Sequence, residues 1–553
     1  MLPTRSCINC KKDFTIEPDD TAFYELMQVP PPTFCPDCRL QRRLAFRNDR
    51  SLYKIKCALC RQDTFSTAPQ GEPDTIYCLE CWSSDSWDGT TYGREYDFSR
   101  PFFEQMKELF HTVPTRARFA LPGTLTNSDY TNLVSYLKNC YLIYNSDYNE
   151  YCMYGSEIES SKDCIDCTMV DTCESCYGCV NCQKCYRAFF SVDCEASSDI
   201  WFSKNLSGCQ SCFGCMNLRN KNYYIFNEPH TKEDYAKKVE ELKKDFNLEK
   251  AKEFWLKYPV KYIHGRQNTN VSGDYINNSK DVRNTYIAKE AQNIKYGMWV
   301  LVPPAKDCWD YTEWGDGAEK IYEGVTVGSH ASNVMFSQMV MISSSHVQYS
   351  LNSISVKDCF GCVGLKSKQY CILNKQYDKE SFDKLRTRII AQMRNDGEYG
   401  EFFPITMSPF PYNETNAQEY FPLTKEQALA KGYRWKDLEE KAYVPTKKWN
   451  EAYGLDDIVL CRAWEEDSKK AQEHKCTKAF KMTKQELEFY ERFGIALPQY
   501  CPNSRYFERS KFRNPLKLWH RNCAKCNKDI ETSYSPDRPE TVYCESCYQQ
   551  EVI

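Results

Sequence analysis

The sequence predicts a mainly β chain. Two β-solenoids with coils of about 12 residues, each capped by an α-helix, should lie between cysteine-rich modules at the two ends. Three observations predict this. CxxC pairs crowd both termini, a period of 12 runs through the middle, and the last hundred residues repeat the first hundred at a constant offset of 466.

Bulk properties narrow the function classes. A chain of 553 residues is too long for one core, so several domains are expected. The net charge is −4, so a nucleic-acid surface would have to be a local patch. No run of 18 apolar residues exists, and the start MLPTRSCINC has no apolar signal segment. The expectation is a cytoplasmic protein with no membrane contact. In a reducing compartment its 32 cysteines read as thiols and metal ligands, not disulfides.

The first module carries CINC (Cys7, Cys10), CPDC (Cys35, Cys38), CALC (Cys57, Cys60) and CLEC (Cys78, Cys81). Paired knuckles suit tetrahedral zinc, since each turn presents two thiolates to one ion. At the offset of 466, Cys10, Cys35, Cys57, Cys60, Cys78 and Cys81 fall on Cys476, Cys501, Cys523, Cys526, Cys544 and Cys547. Phe46-Arg47-Asn48 falls on Phe512-Arg513-Asn514, but Cys7 falls on Glu473 and Cys38 on Ser504. Sequential pairing of the knuckles leaves one whole site in the C-terminal copy (Cys523, Cys526, Cys544, Cys547); interleaved pairing would damage both. Sequential pairing is the simpler outcome, and it predicts about three zinc ions per chain. A fourth would need rescue by Cys461 or His474.

CINCKKDF…FYELMQVPPPTFCPDCRLQRR resembles a zinc-binding treble-clef (zinc-ribbon-like) family across residues 7 to 43, which implies treble-clef modules at the termini. The C-terminal counterpart fits poorly because of Glu473 and Ser504. The whole layout is similar to a cysteine-rich zinc-binding family of uncultivated candidate-phylum bacteria, a resemblance that implies no particular activity.

In the middle, steps of 12 give Cys140, Cys152, Cys164, Cys176, Ala188, Ile200, Cys212 and Tyr224, with no charge among them. Columns three, six and nine residues on are also small or apolar. The column seven on is polar: Asp147, Glu159, Asp171, Gln183, Glu195. Such a pattern marks stacked coils with a narrow interior. Inward positions every third residue resemble the 12-residue β-solenoids of insect antifreeze proteins. On this reading CESCYGCVNCQKC (173–185) is wall filling, with cysteine acting as a small hydrophobe; a metal cluster or disulfides are the alternatives. A looser second solenoid has the marker column Val282, Ile294, Cys308, Ile321, Val334, Val347, Cys359 and Cys371. FGCMNLRNKNYYIFN (213–227) and FGCVGLKSKQYCILN (360–374) end the two solenoids alike, and a charged helix follows each, at roughly 231–247 and 378–394. The domains are therefore a double zinc module (1–90), a linker with one helix (91–128), solenoid 1 (129–227), its capping helix (228–258), solenoid 2 (259–374), its capping helix (375–397), a linker (398–455) and a C-terminal module with one complete site (456–553).

Two surfaces are candidates for function. One is basic: Arg39, Arg42, Arg43 and Arg47 in the first module, and Arg505, Arg509 and Arg513 in the last. Arginines with nearby aromatics suit phosphate contact and base stacking; the bland alternative is that they offset thiolate charge or cover apolar surface. The other is apolar, one residue after each marker: Tyr141, Met153, Ile165, Tyr177, Phe189, Trp201, Phe213 and Ile225. A contiguous apolar stripe calls for a cover, expected from solenoid 2 or from residues 100–112, or else a protein partner. The Asp147 column could mimic a catalytic carboxylate row or be a solvated edge. No phosphate-binding loop, HExxH or GxSxG occurs, and the seven histidines are scattered. The first expectation is a non-catalytic, zinc-stabilised scaffold contacting RNA, DNA or a ribonucleoprotein through its basic ends. The alternatives are an enzyme with a groove between the solenoids, and a purely structural or assembly protein.

Overall fold

The computed structural model describes residues 4–437 and 444–552. Residues 438–443, inside the expected linker 398–455, lie outside them. The chain is mainly β, and its middle forms two stacks of parallel rungs.

In the first stack each rung pairs with the next at a shift of 12 residues. Strand Thr131–Lys138 pairs with Ile143–Glu150 (Thr131 opposite Ile143), and Tyr186–Phe189 leads through Ser198–Trp201 and Gln210–Phe213 to Asn222–Ile225. Between these runs, parallel bridges recur every third residue, as at Lys162–Glu174, Ile165–Tyr177 and Thr168–Val180. The residue after each bridge is left-handed, with φ of 53° at Asp163, 54° at Asp166 and 56° at Met169. Every 12 residues thus contain four such corners. L-residues tolerate this conformation poorly, Asn, Asp and Gly best. That is why Asn181, Asp193, Asp199, Asn205, Gly208, Gly214, Asn217 and Asn220 occupy corners.

The remaining third of the residues points inward. Cys140, Cys152, Cys164 and Cys176 lie in one buried file, Cys167, Cys179 and Cys215 in a second, and Cys182 and Cys194 in a third. Each thiol donates to the carbonyl two residues before it; Cys164 Sγ lies 3.4 Å from Lys162 O and 3.6 Å from Cys173 O in the next rung. Cysteine suits the file because its small side chain fills the narrow interior and its weak donor meets a carbonyl there. All 32 cysteines are free thiols, and among the described residues none in the stacks belongs to a group able to hold a metal.

The second stack has longer rungs, from Thr269–Asn277 to Gln369–Ile372. Val282 lies opposite Ile294 and Ile294 opposite Cys308; Ile321 faces Val334, then Val347, Cys359 and Cys371 follow in register. The stacks meet along the polar column of the first. Lys289 Nζ lies 3.5 Å from Asp171, and Arg266 pairs with Glu195. Asp171 and Glu195 of that column are thus tied to the second stack while staying about a third exposed.

Among the helices of the described residues are α1 (Pro18–Leu26), α2 (Pro36–Leu44), α3 (Phe102–Thr112), α4 (Lys232–Asp245), α5 (Leu248–Trp255), α6 (Lys379–Asn395), α7 (Lys484–Phe493) and α8 (Pro502–Ser510). Thr231 Oγ1 caps α4 by accepting from Asp234 N at 3.2 Å, and Asp378 caps α6 through Ser381 N at 2.9 Å. The apolar stripe of the first stack is buried, but not by the segments expected. Its cover is α7, with Tyr490 5.4 Å from Tyr177 and Phe493 5.2 Å from Phe189, together with α4 and the turn after it, where Phe246 lies 5.1 Å from Phe213. Residues 100–112 pack instead on the second stack, Phe102 lying 5.2 Å from Tyr349 and 5.4 Å from Phe360. On the same stack α1 stacks Phe23 on Trp309 at 4.1 Å. The arrangement is crossed: the N-terminal module sits on the C-terminal stack, and the C-terminal module on the N-terminal stack. Among the described residues no helix is long and apolar enough to cross a membrane.

Candidate metal centres and the arginine clasp

Four cysteine groups at the ends bring their sulfurs within tetrahedral reach, where three were expected. They are Cys7, Cys10, Cys35 and Cys38; Cys57, Cys60, Cys78 and Cys81; Cys523, Cys526, Cys544 and Cys547; and the three-membered Cys461, Cys476 and Cys501. The knuckles pair sequentially, as the repeat implied. Zn–S bonds of about 2.3 Å in a tetrahedron put the sulfurs about 3.8 Å apart. Cys10 and Cys35 are 3.7 Å apart, Cys60 and Cys78 3.9 Å, Cys526 and Cys544 3.7 Å, and Cys476 and Cys501 3.7 Å.

Local backbone builds each group the same way. The knuckle turns tightly, so Cys7 N donates to Lys12 O and Cys57 N to Gln62 O, with Lys11 and Arg61 both at φ 62°. The third cysteine begins a helix and gives its amide to the first sulfur: Cys35 N to Cys7 Sγ, Cys78 N to Cys57 Sγ and Cys544 N to Cys523 Sγ, each 3.2 Å. Amide donors aimed at sulfur favour thiolate. Burial would push the Cys57 thiol up, yet the amides of Cys78, Cys60 and Leu59 bring it down to about 7. The Cys38 thiol brings Cys35 down to about 5, and Ser546 with the Cys547 amide brings Cys544 down to about 6. These donor sets fit zinc, and closed all-thiolate shells are structural rather than catalytic.

The fourth group corrects the ungapped reading. Cys461 N donates to Lys478 O at 2.9 Å, as Cys7 N does to Lys12 O, and Cys501 N reaches Cys461 Sγ at 3.2 Å, as Cys35 N reaches Cys7 Sγ. Leu460 pairs with Ala479 and Val459 with Phe480, as Ser6 pairs with Asp13 and Arg5 with Phe14. Cys461, not Glu473, is therefore the counterpart of Cys7. The intervening chain forms the short helices Arg462–Glu466 and Ser468–Glu473, which open the knuckle without moving its sulfurs. The clue in the sequence was Cys461 itself, the one cysteine of the C-terminal module that the repeat left unmatched. His474 lies outside the group; its ring stacks 5.6 Å from Phe507, and its Nδ1 is buried with no hydrogen-bond partner among the described residues.

The seven arginines expected to form a basic surface are turned inward instead. Arg39, Arg42, Arg43 and Arg47 are buried on the second stack. Arg39 Nε and Arg43 Nη1 each lie 2.9 Å from Asp310, Arg42 Nη2 lies 2.9 Å from Glu323, and Arg47 pairs with Glu313. Their counterparts do the same on the first stack. Arg505 Nε lies 3.1 Å and Arg509 Nη1 2.7 Å from Asp166, and Arg513 Nη1 lies 3.0 Å from Glu157. The match extends further. Asp20 accepts from Tyr296 Oη at 3.2 Å and Glu486 from Tyr154 Oη at 2.8 Å, while Arg39 lies 5.2 Å over Tyr296 and Arg505 4.8 Å over Tyr154. Tyr154, Glu157, Asp166, Tyr296, Asp310, Glu313 and Glu323 all occupy left-handed corners. Corner side chains leave the coil outward, which is why they meet the modules. The physical reason for the correction is charge: seven guanidiniums face a matching set of buried carboxylates, so they hold the modules to the stacks. Burial would push the Glu323 carboxyl up, and the partial offset from Arg42 and Arg43 leaves it above its usual range.

Two other polar clusters are already satisfied. Glu17, Asp19 and Asp20 are close enough to hold a cation, but Lys295 Nζ lies among them at 2.6, 3.0 and 2.9 Å. A cavity of about 290 Å³ opens where the two stacks and the C-terminal module meet, lined by Asp193, Glu195, Lys204, His264, Tyr275 and Tyr534. Burial opposes charge on His264, but Asp274 and Asp193 outweigh it and raise its pKa. Its Nδ1 lies 3.0 Å from Asp274, and its Nε2 lies 3.0 Å from Tyr534 Oη.

No family model and no curated protein matches the chain. Among solved structures, a crystal structure from Desulfovibrio desulfuricans G20, described as an acetyltransferase candidate, aligns with 51% of this chain and 80% of its own at 10% identity. The TM-score is 0.09, so this likeness carries no argument about fold or function.

Proposed function

We propose that the protein is a non-catalytic, metal-stapled scaffold. Four zinc centres of the terminal modules rigidify α1, α2, α7 and α8, and these helices lock two short-coil β-solenoids side by side. The observation that carries the reading is the duplicated clasp: equivalent arginines of the two modules seal equivalent corner carboxylates of the two stacks. Zinc at these groups is structural, because the Cys7–Cys38 and Cys461–Cys501 groups order the two helices that bear the arginines, while the other two groups fold the neighbouring hairpins. The interiors are filled by buried side chains, largely cysteine in the first stack and mainly Val, Ile, Ala and Cys in the second. RNA, DNA or ribonucleoprotein contact through the seven arginines is not part of this reading, since every one is spent on an internal carboxylate. Metal analysis of the purified chain tests it: about four zinc per chain are expected, and a chelator should release the modules from the stacks. A chain that keeps its fold after complete metal removal would overturn it.

A second reading, an enzyme, is favoured by one observation: the cavity between the stacks holds His264 beside Asp193 and Glu195. Against it, both ring nitrogens of His264 are engaged and Glu195 is paired with Arg266. Soaking or titration with small anions and sugars, read by chemical shift at His264, separates the two readings.

A further inference from the structure

We infer that Ser504 Oγ is the fourth ligand of the Cys461–Cys476–Cys501 group, making it a three-thiolate, one-oxygen zinc centre unlike the other three. The inference rests on the metal-centre reading above and goes further by assigning a ligand and a chemistry. Three observations carry it. Ser504 stands in the repeat where Cys38 completes the first centre. It is fully buried, and its hydroxyl oxygen lies 3.4 Å from Cys501 Sγ and 3.8 Å from Cys461 Sγ. A zinc ion with Zn–S of about 2.3 Å and Zn–O of about 2.0–2.2 Å sets sulfur and oxygen about 3.5 Å apart. The hydroxyl thus sits where a fourth ligand belongs, and its hydrogen-bond partners there are the two sulfurs. The preserved amide bond from Cys501 N to Cys461 Sγ shows that the rest of the shell is built as in the first centre.

The chemistry differs in a way that can be read. A shell with three thiolates carries less negative charge than one with four, and oxygen is the poorer partner for a soft metal. This centre should be the first to yield its ion to a chelator.

The test is the full chain loaded with cadmium-113. Four resonances are expected, three together in the four-thiolate region and one upfield of them. Ser504→Cys should move only the upfield resonance, bringing it to the others. Ser504→Ala should make one equivalent of metal about tenfold or more easier to strip, while His474→Ala should change neither spectrum nor retention. Three resonances in all, four that coincide in the unmodified chain, unchanged retention in Ser504→Ala, or an upfield resonance that follows His474→Ala would each overturn the assignment. Fewer than three would instead sink the metal-centre reading on which it rests. Ser504→Cys adds a thiol in place of a hydroxyl of similar size, and its three unmoved resonances report that the fold survives.

Discussion

Arg43→Met tests the clasp most directly. The Arg43 guanidinium is fully buried and gives Nη1 to Asp310 at 2.9 Å and to Glu323 at 3.3 Å, both carboxylates being buried as well. Removing one partner of a buried ion pair leaves an uncompensated charge and costs about 3–5 kcal/mol. Arg39 still bonds Asp310 and Arg42 still bonds Glu323, so the lower end, about 3 kcal/mol, is expected. With a urea dependence of about 3 kcal/mol/M, suited to a large chain, the unfolding midpoint of this half should fall by about 1 M. With 5-fluorotryptophan incorporated, the 19F resonance of Trp309, which stacks on Phe23 and donates Nε1 to Asp20 at 3.0 Å, reports separation of α1 from the stack. Adding Asp310→Leu to Arg43→Met should deepen the loss, because the buried Arg39 guanidinium then has no carboxylate. Arg509→Met should do the equivalent to the other half through Asp166 without moving the Trp309 transition. A loss below about 0.5 kcal/mol for Arg43→Met would refute the clasp, for that is the behaviour of an exposed surface arginine.

Further predictions concern metal, thiols and pH. Inductively coupled plasma measurement should return about four zinc per chain, and one near three would mean that the Cys461 group stays empty. In the metal-free chain Cys60 and Cys526, the exposed members of their groups, should react at once with a thiol reagent; Cys152, Cys164 and Cys176 should react only on global unfolding, and fast labelling there would contradict the packed file. Cys176→Ala should cost about 1–2 kcal/mol in a urea melt, since it opens a small void in a tight interior. Burial, aided by Asp147 and Asp171, pushes the Glu159 carboxyl up to about 8. A carboxyl raised above its unfolded value of about 4.3 stabilises the fold while protonated, fully below that value, and the benefit disappears as pH rises through about 8. The melting temperature should therefore fall between about pH 5 and 8, and Glu159→Gln should flatten that fall; an unchanged slope would place the titration elsewhere.

The period of 12 made the stack interior legible, because a file of Cys, Ala and Ile with no charge leaves little choice but burial. The corners were also written in the sequence, in Asn and Asp recurring five residues after the markers (Asn145, Asn181, Asp193, Asn205, Asn217), but their meaning needs the backbone: only φ near 55° explains why Asn181 and Asp193 obey one rule while Tyr154 and Phe190 accept the same strain. The arginines were not legible. Arg39, Arg43 and Arg47 look alike whether they face phosphate or carboxylate, and their partners Asp310 and Glu313 lie some 270 residues away. A repeat of the arginines alone could not separate the two readings, since a duplicated nucleic-acid surface would repeat them as well.

What separates them is a second repeat that follows a different offset. Asp166 and Asp310 each follow a KDC tripeptide by one residue, as KDCID and KDCWD, and each lies one rung beyond a corner tyrosine, Tyr154 or Tyr296. Arginine rows and acidic corners are thus duplicated together although they belong to unrelated segments. A binding surface for an outside partner gives no reason for the carboxylates to accompany the arginines; an internal lock requires it. The crossed connection follows from the same logic. The first module closes on the last stack and the last module on the first, so neither half is complete until the whole chain is in place. The clasp of the N-terminal module should therefore form late in folding: a truncated chain ending before residue 259 should leave the guanidiniums of Arg39, Arg42 and Arg43 without their carboxylates, and Arg47 with Asp49 alone. If that truncated chain bound nucleic acid while the full chain did not, the basic surface expected from the sequence would be a property of the incomplete chain alone.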